Sequence, residues 1–512
     1  MVNETETPGE LQWRVRDSNG SSTLLVPESG LIRRTWLGFL SFLVELKSKI
    51  RRFFKKSWEL GVEDPKKVIH CFKVALALTL ISMFYYVSPL YNGMGDQNTV
   101  WAVMTVVVVF EYTAGATIYK SLNRATGTIL AGSLAVAIHW IAIHFGQAFE
   151  LVILGSSVFL SASIATFSRF IPTIRVRFDY GAMIFILTFC IIEVSGFRVE
   201  KLFQMAYERV LTIVIGIIMC MFISMLISPV WAGEELHLLI IRNMENLANS
   251  LDGCVAEFFK EKNSNGNVDN DDKAHKNLFG YKLVLNSKAA EESFANFAIW
   301  EPTHGRFNFR HPWKQYLKIG ASMRNCAFCI EVLNGCINSE VQAPEFIKKR
   351  LNDACIILSF HCSRVLKELA ISTTTMTRSS KIDLLIEEMK TALRDLKNAL
   401  KSLPSIFTPP VSPLPSLSPS PLPKEGQEEE EEIKEPISTP TIMPVVEVVP
   451  LITVASLLIE IVARIEGVVK AVKELAKLVD FEPQMERPIQ PINKPTSEDQ
   501  QDQQNMKALQ QV

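Results

Sequence analysis

Six apolar stretches follow one another in the first half of the chain; four are about as long as a bilayer is thick, and the second and fifth are shorter but could be extended at their ends. They cover approximately Val68–Ser88, Thr99–Gly115, Ala125–Phe145, Phe149–Phe167, Tyr180–Ser195 and Val210–Trp231. A transmembrane helix needs roughly 17 to 25 predominantly apolar residues. The loops between the stretches are brief, so successive helices are predicted to be antiparallel neighbours. The sequence therefore predicts an all-α, polytopic membrane protein with six transmembrane helices and a C-terminal cytoplasmic helical domain.

The rest of the chain is polar and divides by composition. Apolar residues recur at helical spacing after Trp231, whereas a Pro- and Ser-rich segment with the run Glu428–Glu432 cannot bury a core. The predicted parts are a cytoplasmic N-terminal segment with an amphipathic helix (1–65), the six-helix transmembrane domain (66–231), the cytoplasmic helical domain (232–403), a disordered linker (404–450), a C-terminal heptad helix (451–480) and a mobile tail (481–512).

Two helical patterns outside the spans leave alternatives open. The segment "WLGFLSFLVELKSKIRRFFKKSW" mixes aromatic residues with clustered Lys and Arg, which is typical of a helix on the inner membrane face or of one packed on the cytoplasmic domain. The C-terminal segment carries an apolar heptad seam, which predicts a partner helix either in its own cytoplasmic domain or in a second subunit. The seam residues are Leu451, Val454, Leu458, Ile461, Ile465, Val468, Val472, Leu475 and Val479.

The charge distribution predicts the topology. Lys66 to Trp231 holds 11 basic and 7 acidic residues, a net charge of +4 in a chain whose net charge is −1. Lys and Arg cluster before the first span and in alternate loops, and such loops stay in the cytoplasm. Both termini are therefore predicted to be cytoplasmic. The near-zero total charge indicates no nucleic-acid partner.

No enzyme, cofactor or metal signature is present. The sequence has neither a phosphate-binding loop of the GxxxxGKS/T type nor an HExxH motif. Cys326 and Cys329 have CxxC spacing, but no second pair completes a tetrahedral site. We expect no catalytic residue, no metal and no cofactor, and we expect the nine scattered cysteines to be free thiols.

Basic residues inside or beside the spans are the candidate functional groups. Lys73 lies one turn inside the first predicted span, Arg124 opens the third, Arg177 precedes the fifth and Arg209 opens the sixth. Ionisable residues in spans usually mark function, and anion pores use Arg and Lys. The structural alternative is that they reach lipid headgroups or form the pairs Glu208–Arg209 and Arg177–Asp179. Arg169, at a span end, is expected to set topology.

Several stretches resemble the plant aluminium-activated malate transporters, which are anion channels. They are "WAVMTVVVVFEYTAGAT", "SLNRATGTILAGSLA", "RFIPTIRVRFDYG", "SPVWAGEELH" and, in the polar half, "WEPTHGRF". The resemblance implies a homodimer in contact with membrane lipid, malate as a principal permeant anion, and chloride, nitrate or other carboxylates as further ones. It implies an anion pathway that includes Lys73, Arg124, Arg175, Arg177 and Arg209.

The resemblance also marks the motif Trp300-Glu301-Pro302 for gating, with Glu301 important for transport. Pro302 should hold Glu301 in extended geometry. The alternative is a structural turn that docks one cytoplasmic helix on another, and one turn can serve both roles.

Three functions remain open at this point. The leading hypothesis is a passive anion channel in the plasma membrane, with the vacuolar membrane as the alternative location. The second is a proton-coupled carboxylate exporter, which would need a titratable relay in the spans, where Glu111 and Glu193 lie only near span ends. The third is a membrane scaffold with a cytoplasmic interaction domain, which leaves the bases in the spans unexplained.

Overall fold

The computed structural model describes residues 14–16, 22–24, 31–86, 99–145, 147–196, 202–260, 278–308, 310–337, 345–402 and 445–483. The chain divides into two compact units, Met1–Leu76 and Ala77–Val512. In the first unit, strand β1 (Arg14–Arg16) pairs antiparallel with β2 (Ser22–Leu24). Helix α1 (Leu31–Glu63) follows, and α2 (Pro65–Tyr86) begins in this unit.

Five apolar helices open the second unit. They are α3 (Thr99–Val109), α4 (Ala114–Phe145), α5 (Gln147–Ser168), α6 (Pro172–Gly196) and α7 (Leu202–Leu226). Helices α4 to α7 are each long and apolar enough to cross a membrane. The all-α class and the presence of several membrane-spanning helices are thus confirmed.

The predicted count of six spanning helices is not confirmed. Helix α3 has only 11 residues, which is short of a bilayer. Helix α2 has 22 residues and is not among the helices that the described residues show to be long and apolar enough to cross a membrane; it carries Lys66 and Lys67 in its first turn and Lys73 further along. The predicted loop between them falls on residues 87–98, which lie outside the described residues.

Small residues bring two of the apolar helices together. A Cβ atom added to Gly127 of α4 would lie 2.6 Å from the carbonyl oxygen of Gly181 in α6, so only glycine permits this approach. The stretch "ATGTILAG", which contains Gly127, therefore packs closely against α6, as its small residues indicate. In the stretch "GSSVFLSASIA" of α5, a Cβ atom added to Gly155 would meet no atom within 4 Å among the described residues, so this glycine makes no such close approach.

Seven further helices form a helical bundle with one apolar core. They are α8 (Ala232–Phe259), α9 (Gly280–Asn286), α10 (Lys288–Ala298), α11 (Trp313–Ile337), α12 (Glu345–Thr375), α13 (Lys381–Ser402) and α14 (Val445–Leu478). The core includes the fully buried Leu247, Met323 and Leu358. A short parallel pair, β3 (Thr377–Arg378) with β4 (Glu482–Pro483), ties the end of α12 to the segment after α14.

The C-terminal helix belongs to this bundle, although its apolarity alone would suit a membrane span. Its seam residues Leu458, Ile461 and Ile465 are fully buried, and Gln315 Nε2 of α11 donates a hydrogen bond to the carbonyl oxygen of Ala471 (2.8 Å). The heptad partner is therefore the chain's own bundle.

The predicted linker 404–450 is wrong at its end, because α14 begins at Val445. The apolar residues of the "VVEVVP" stretch extend the helix backwards, and Val448 already contributes to the core. The rest of that linker (404–444) and the tail from 484 lie outside the described residues.

Candidate functional site

Two arginines are buried among the apolar helices. Arg124 is 5% exposed and lies ten residues after the start of α4, while Arg209 is 8% exposed and lies seven residues after the start of α7. At 1.5 Å per residue these positions are about 15 Å and 10 Å inside their helices. Helix α4 begins before the predicted third span and continues through the polar residues that precede Arg124. One of these, Asn123, donates a hydrogen bond to the Arg177 carbonyl oxygen of α6 (3.3 Å).

Both guanidinium groups contact the same face of α3. Arg124 donates from Nε to Thr105 Oγ1 (3.1 Å) and from Nη1 to the Tyr180 hydroxyl of α6 (3.4 Å). Arg209 lies over the ring of Trp101, 4.3 Å from its centroid. Trp101 and Thr105 are one helical turn apart, and Thr105 Oγ1 donates to the Trp101 carbonyl oxygen (2.7 Å). We call these five residues the buried basic site.

No carboxylate neutralises the buried basic site within the described residues. Neither arginine forms an ion pair there, and Arg209 Nε has no hydrogen-bond acceptor. Asp179, which was a candidate partner for Arg177, instead pairs with Arg169, whose guanidinium donates two hydrogen bonds of 2.7 and 3.2 Å to its carboxylate. A buried charge without a partner is costly. The hydroxyl groups of Thr105 and Tyr180 and the ring of Trp101 are the contacts that the described residues provide for these two charges.

A polar stripe on α4 extends from the site. Ser121, Arg124 and Thr128 follow one another in steps of three and four residues and so share one helix face. All three are buried, and Ser121 Oγ and Thr128 Oγ1 have no hydrogen-bond partner in the described part of the chain. Unsatisfied hydroxyl groups are tolerated at membrane depth when they line a water-filled space.

The other predicted pathway residues lie on α2 and α6. Lys73 is buried on α2, whereas Arg175 and Arg177 are exposed in the first turns of α6. Arg177 borders an open cavity of about 500 Å³ together with Tyr119 and Trp300. The structure thus brings Arg124 and Arg209 together and leaves the two α6 arginines on the surface.

Glu301, after the end of α10, joins an apolar helix to the helical bundle. Its carboxylate is buried and accepts hydrogen bonds from the backbone N–H groups of Gly115 (3.1 Å), Ala232 (2.6 Å) and Gly233 (3.0 Å). Gly115 is the second residue of α4, and the other two open α8. A negative charge at two helix N-termini is favourable because unpaired N–H groups and the helix dipoles converge there.

Aromatic residues and a glycine fit closely around this carboxylate. Trp300 packs on Tyr119 of α4 (5.8 Å between ring centroids), and His304 stacks on Trp231 (4.1 Å) with its Nε2 atom 4.0 Å from Glu301 Oε2. A Cβ atom added to Gly115 would lie 2.8 Å from Glu301 Oε1. Burial raises the pKa of the Glu301 carboxyl, and the three N–H donors oppose that rise.

Sequence reasoning missed the partners of the two buried arginines. Trp101, Thr105 and Tyr180 were not singled out, although Trp101 and Thr105 have helical i, i+4 spacing in an apolar run. A tryptophan at the start of an apolar run, one helical turn before a threonine, was the available signal. Glu111, near a predicted span end, pairs with Lys120 of α4.

The described residues contain no cluster of three or more His, Cys, Asp or Glu side chains that would hold a metal ion. Cys326 is buried in the bundle and Cys329 is half-buried one turn later. All nine cysteines fall within the described ranges and are free thiols, which confirms that expectation.

Comparison with known proteins identifies relatives along nearly the whole chain. The sequence profile of the family described as "Aluminium activated malate transporter" matches residues 58–412 and 415–476. Aluminum-activated malate transporter 10 of Arabidopsis thaliana is 47% identical over 491 residues, which are 93% of this chain and 96% of that protein.

Two further relatives show how widely the similarity extends. Aluminum-activated malate transporter 2 of Arabidopsis thaliana is 45% identical over 69% of this chain and 70% of its own length. Aluminum-activated malate transporter 1 of Triticum aestivum is 40% identical over 75% of this chain and 83% of its own length. With the match to the family profile, these identities show that the chain is a multi-pass membrane protein of the aluminium-activated malate transporter family.

Proposed function

We propose that the protein is a passive channel through which malate and other small anions cross a membrane. The observation that carries the proposal is the pair of buried guanidinium groups, Arg124 and Arg209, for which the described residues provide no carboxylate. Relatives named malate transporters supply the candidate substrate. We assign the chain no catalytic role and no cofactor.

The buried basic site suits a dicarboxylate. Arg124 and Arg209 contact α3 residues that are one turn apart, which is a rise of about 6 Å, and we infer that both charges act on one short dicarboxylate. At an effective dielectric constant of about 20, a unit charge 4 Å from a carboxylate contributes roughly 4 kcal/mol before desolvation is subtracted. Conduction needs attraction of this moderate size, because an anion must also leave.

The remaining bases extend the pathway in this proposal. The family resemblance assigns Lys73, Arg175 and Arg177 to it, and Arg175 and Arg177 are exposed near the start of α6, where they would attract anions to the cytoplasmic mouth. Arg169 is engaged with Asp179 and is assigned to topology rather than to conduction.

The motif Trp300-Glu301-Pro302 is proposed to couple the helical bundle to the pathway. Glu301 holds the N-terminus of α4, and the same helix carries Arg124 ten residues later. A shift of the bundle would therefore move the start of α4 and, through a rigid helix, the buried basic site. Pro302 would keep Glu301 out of helical geometry.

The assembly and location follow the positive-inside rule and the family resemblance. We propose a homodimer with both termini and the helical bundle in the cytoplasm, because Lys and Arg cluster before α2 and around the start of α6. The plasma membrane is the first assignment and the vacuolar membrane the second. Protease added outside intact cells should leave tags at both ends uncut, and cleavage without permeabilisation would contradict the topology.

The function is tested by recording current in oocytes with malate on one side of the membrane. A channel predicts that the reversal potential moves with the malate gradient and ignores an imposed proton gradient. A reversal potential that follows the proton gradient would overturn the channel in favour of a coupled exporter. Absence of any malate current with normal surface protein would favour the scaffold.

One observation keeps the coupled exporter as the second candidate. Glu193, near the end of α6, is only 5% exposed, and its Oε1 atom has no hydrogen-bond partner among the described residues. A buried carboxyl group in a span is a candidate proton carrier. The exporter predicts that Glu193→Gln abolishes proton-dependent transport, whereas the channel predicts a malate current in Glu193→Gln that still reverses with malate alone.

A further inference from the structure

Helix α1 carries a continuous, exposed apolar face. Phe39, Phe42, Leu46, Ile50 and Phe53 follow one another in steps of three and four residues, so they lie on one side of the helix. Their exposed fractions run from 41% to 68%, and Trp58, about 120° round the helix from the middle of the stripe and at the border of the polar side, is 76% exposed. Aromatic and aliphatic side chains of this size are rarely left in water as a contiguous patch.

Basic residues lie along both edges of that face. At about 100° per residue, Lys49 and Lys56 fall beside one edge of the stripe and Lys47 beside the other. Six Lys and Arg residues lie between Lys47 and Lys56, where the described chain has no acidic residue. Glu45 and Glu59, just outside this segment, each pair with one of the lysines.

The helix is attached directly to the first predicted span. Only Asp64 separates the end of α1 at Glu63 from the start of α2 at Pro65. The C-terminal end of α1 therefore stays near the membrane surface from which α2 starts. In the topology proposed above this surface is the cytoplasmic one, on which the inference depends.

We propose that α1 lies in the headgroup region of the cytoplasmic leaflet and binds anionic phospholipids there. The apolar face enters the boundary with the acyl chains, and the Lys and Arg side chains along its edges reach the lipid phosphates and carboxylates. Charge complementarity selects this occupant over another protein surface, because the basic edges match a negative membrane. The surface is separate from the residues assigned to conduction.

The test uses the full-length protein in nanodiscs whose lipids carry bromine on the acyl chains. One set contains phosphatidylcholine alone and the other a mixture with phosphatidylserine. The fluorescence of Trp58 is obtained as the difference between the native chain and Trp58→Phe. The proposal predicts that bromine quenches this component at least about two-fold more strongly in the anionic mixture, and that added salt weakens the quenching.

Two variants that add the same charge provide the matched comparison. Phe53→Asp places a carboxylate on the apolar face, and Ser48→Asp places one on the polar face of the same helix. Phe53→Asp should reduce the Trp58 quenching by at least about half, since a charged group resists transfer from water into the acyl boundary, whereas Ser48→Asp should retain most of it. If Phe53→Asp lowers the yield of protein, the effect of added salt on Trp58 quenching in the native chain still tests the proposal.

Three results overturn the proposal. Equal quenching in the two lipid sets would show apolar burial without selection of anionic lipid. Absence of quenching together with slow hydrogen exchange of the α1 amides would show that protein covers the face, either a second copy or the chain's own bundle. Equal quenching in Phe53→Asp and Ser48→Asp would show that the stripe is not the embedded face. Malate current is not part of this readout, so failure here leaves the channel proposal standing.

Discussion

Glu301→Gln is the substitution that isolates the charge at the junction between α4 and the helical bundle. The amide has nearly the shape of the carboxylate but only one acceptor oxygen. The carboxylate accepts from three N–H groups, with Gly115 and Ala232 on Oε1 and Gly233 on Oε2. In the variant at least one backbone N–H must face the amide NH2 group, and the two helix N-termini lose their negative partner.

The expected cost follows from these contacts. A hydrogen bond to a charged group contributes about 1.5–3 kcal/mol, and one such bond is lost. The two helix N-termini each lose about 0.3–1 kcal/mol of favourable interaction with the charge. Burial disfavours the charged carboxylate and so raises the pKa of Glu301. The neutral amide avoids this desolvation cost, which offsets part of the loss. We expect the junction to be weakened by about 2–3 kcal/mol, which is a factor of roughly 30–150.

Hydrogen exchange at the amides of Gly115, Ala232 and Gly233 measures this directly in nanodiscs. Exchange at these three amides should become roughly 30–150-fold faster, up to the rate at which the amides of an open helix end exchange. The control is Glu292→Gln on α10, whose carboxylate is exposed and 3.9 Å from Lys288, and it should leave these amides unchanged. Unchanged exchange in Glu301→Gln would refute the reasoning that the charge holds the two helices.

Three further predictions concern packing and pH. Gly115→Ala should lower the malate current per surface channel, because the added Cβ atom would lie 2.5 Å from a carbonyl oxygen at the end of α10. The control Gly155→Ala, in open space on α5, should leave the current unchanged, and equal currents in the two variants would contradict the tight fit at Gly115. Burial lowers the pKa of His311 to about 4, so this residue binds fewer protons in the folded than in the unfolded state below pH 6.5, and His311 by itself should lower the free energy of unfolding by about 1 kcal/mol between pH 7 and 5.5. His311→Gln should show a smaller drop in Tm over that range, and an unchanged drop would refute the assignment. Ile461→Asp should destabilise the bundle by several kcal/mol in thermal unfolding, because Ile461 is fully buried, while Ile452→Asp at a 43% exposed position should cost far less; equal costs would contradict the packing of α14.

The apolar runs and the buried charges could be predicted because both are local properties. Lipid requires long helices, so the sequence places α4 to α7 to within a few residues at several ends. Arg124 and Arg209 were recognised because a base in an apolar run is rare. The short α3 and the extended start of α4 were not predicted, since helix ends depend on packing rather than on hydropathy.

The contacts that assemble the site could not be predicted because they join distant parts of the chain. Glu301 reaches Gly115 across 186 positions, and the cation–π contact joins Trp101 to Arg209. The heptad seam of α14 predicted a partner helix, but only the contacts in the structure show that α11 of the same chain is a partner. Nothing in one-dimensional periodicity distinguishes the chain's own bundle from a second subunit.

The central claim is that anions pass the two buried arginines. The most direct measurement is the unitary malate current of purified protein in planar bilayers, for Arg124→Gln, Arg209→Gln and the control Arg169→Gln. We predict that each of the first two lowers the unitary current by about ten-fold or more, given roughly 4 kcal/mol of attraction before desolvation, and that Arg169→Gln leaves it nearly intact. A full unitary malate current in a chain with both Arg124 and Arg209 neutralised would contradict the claim.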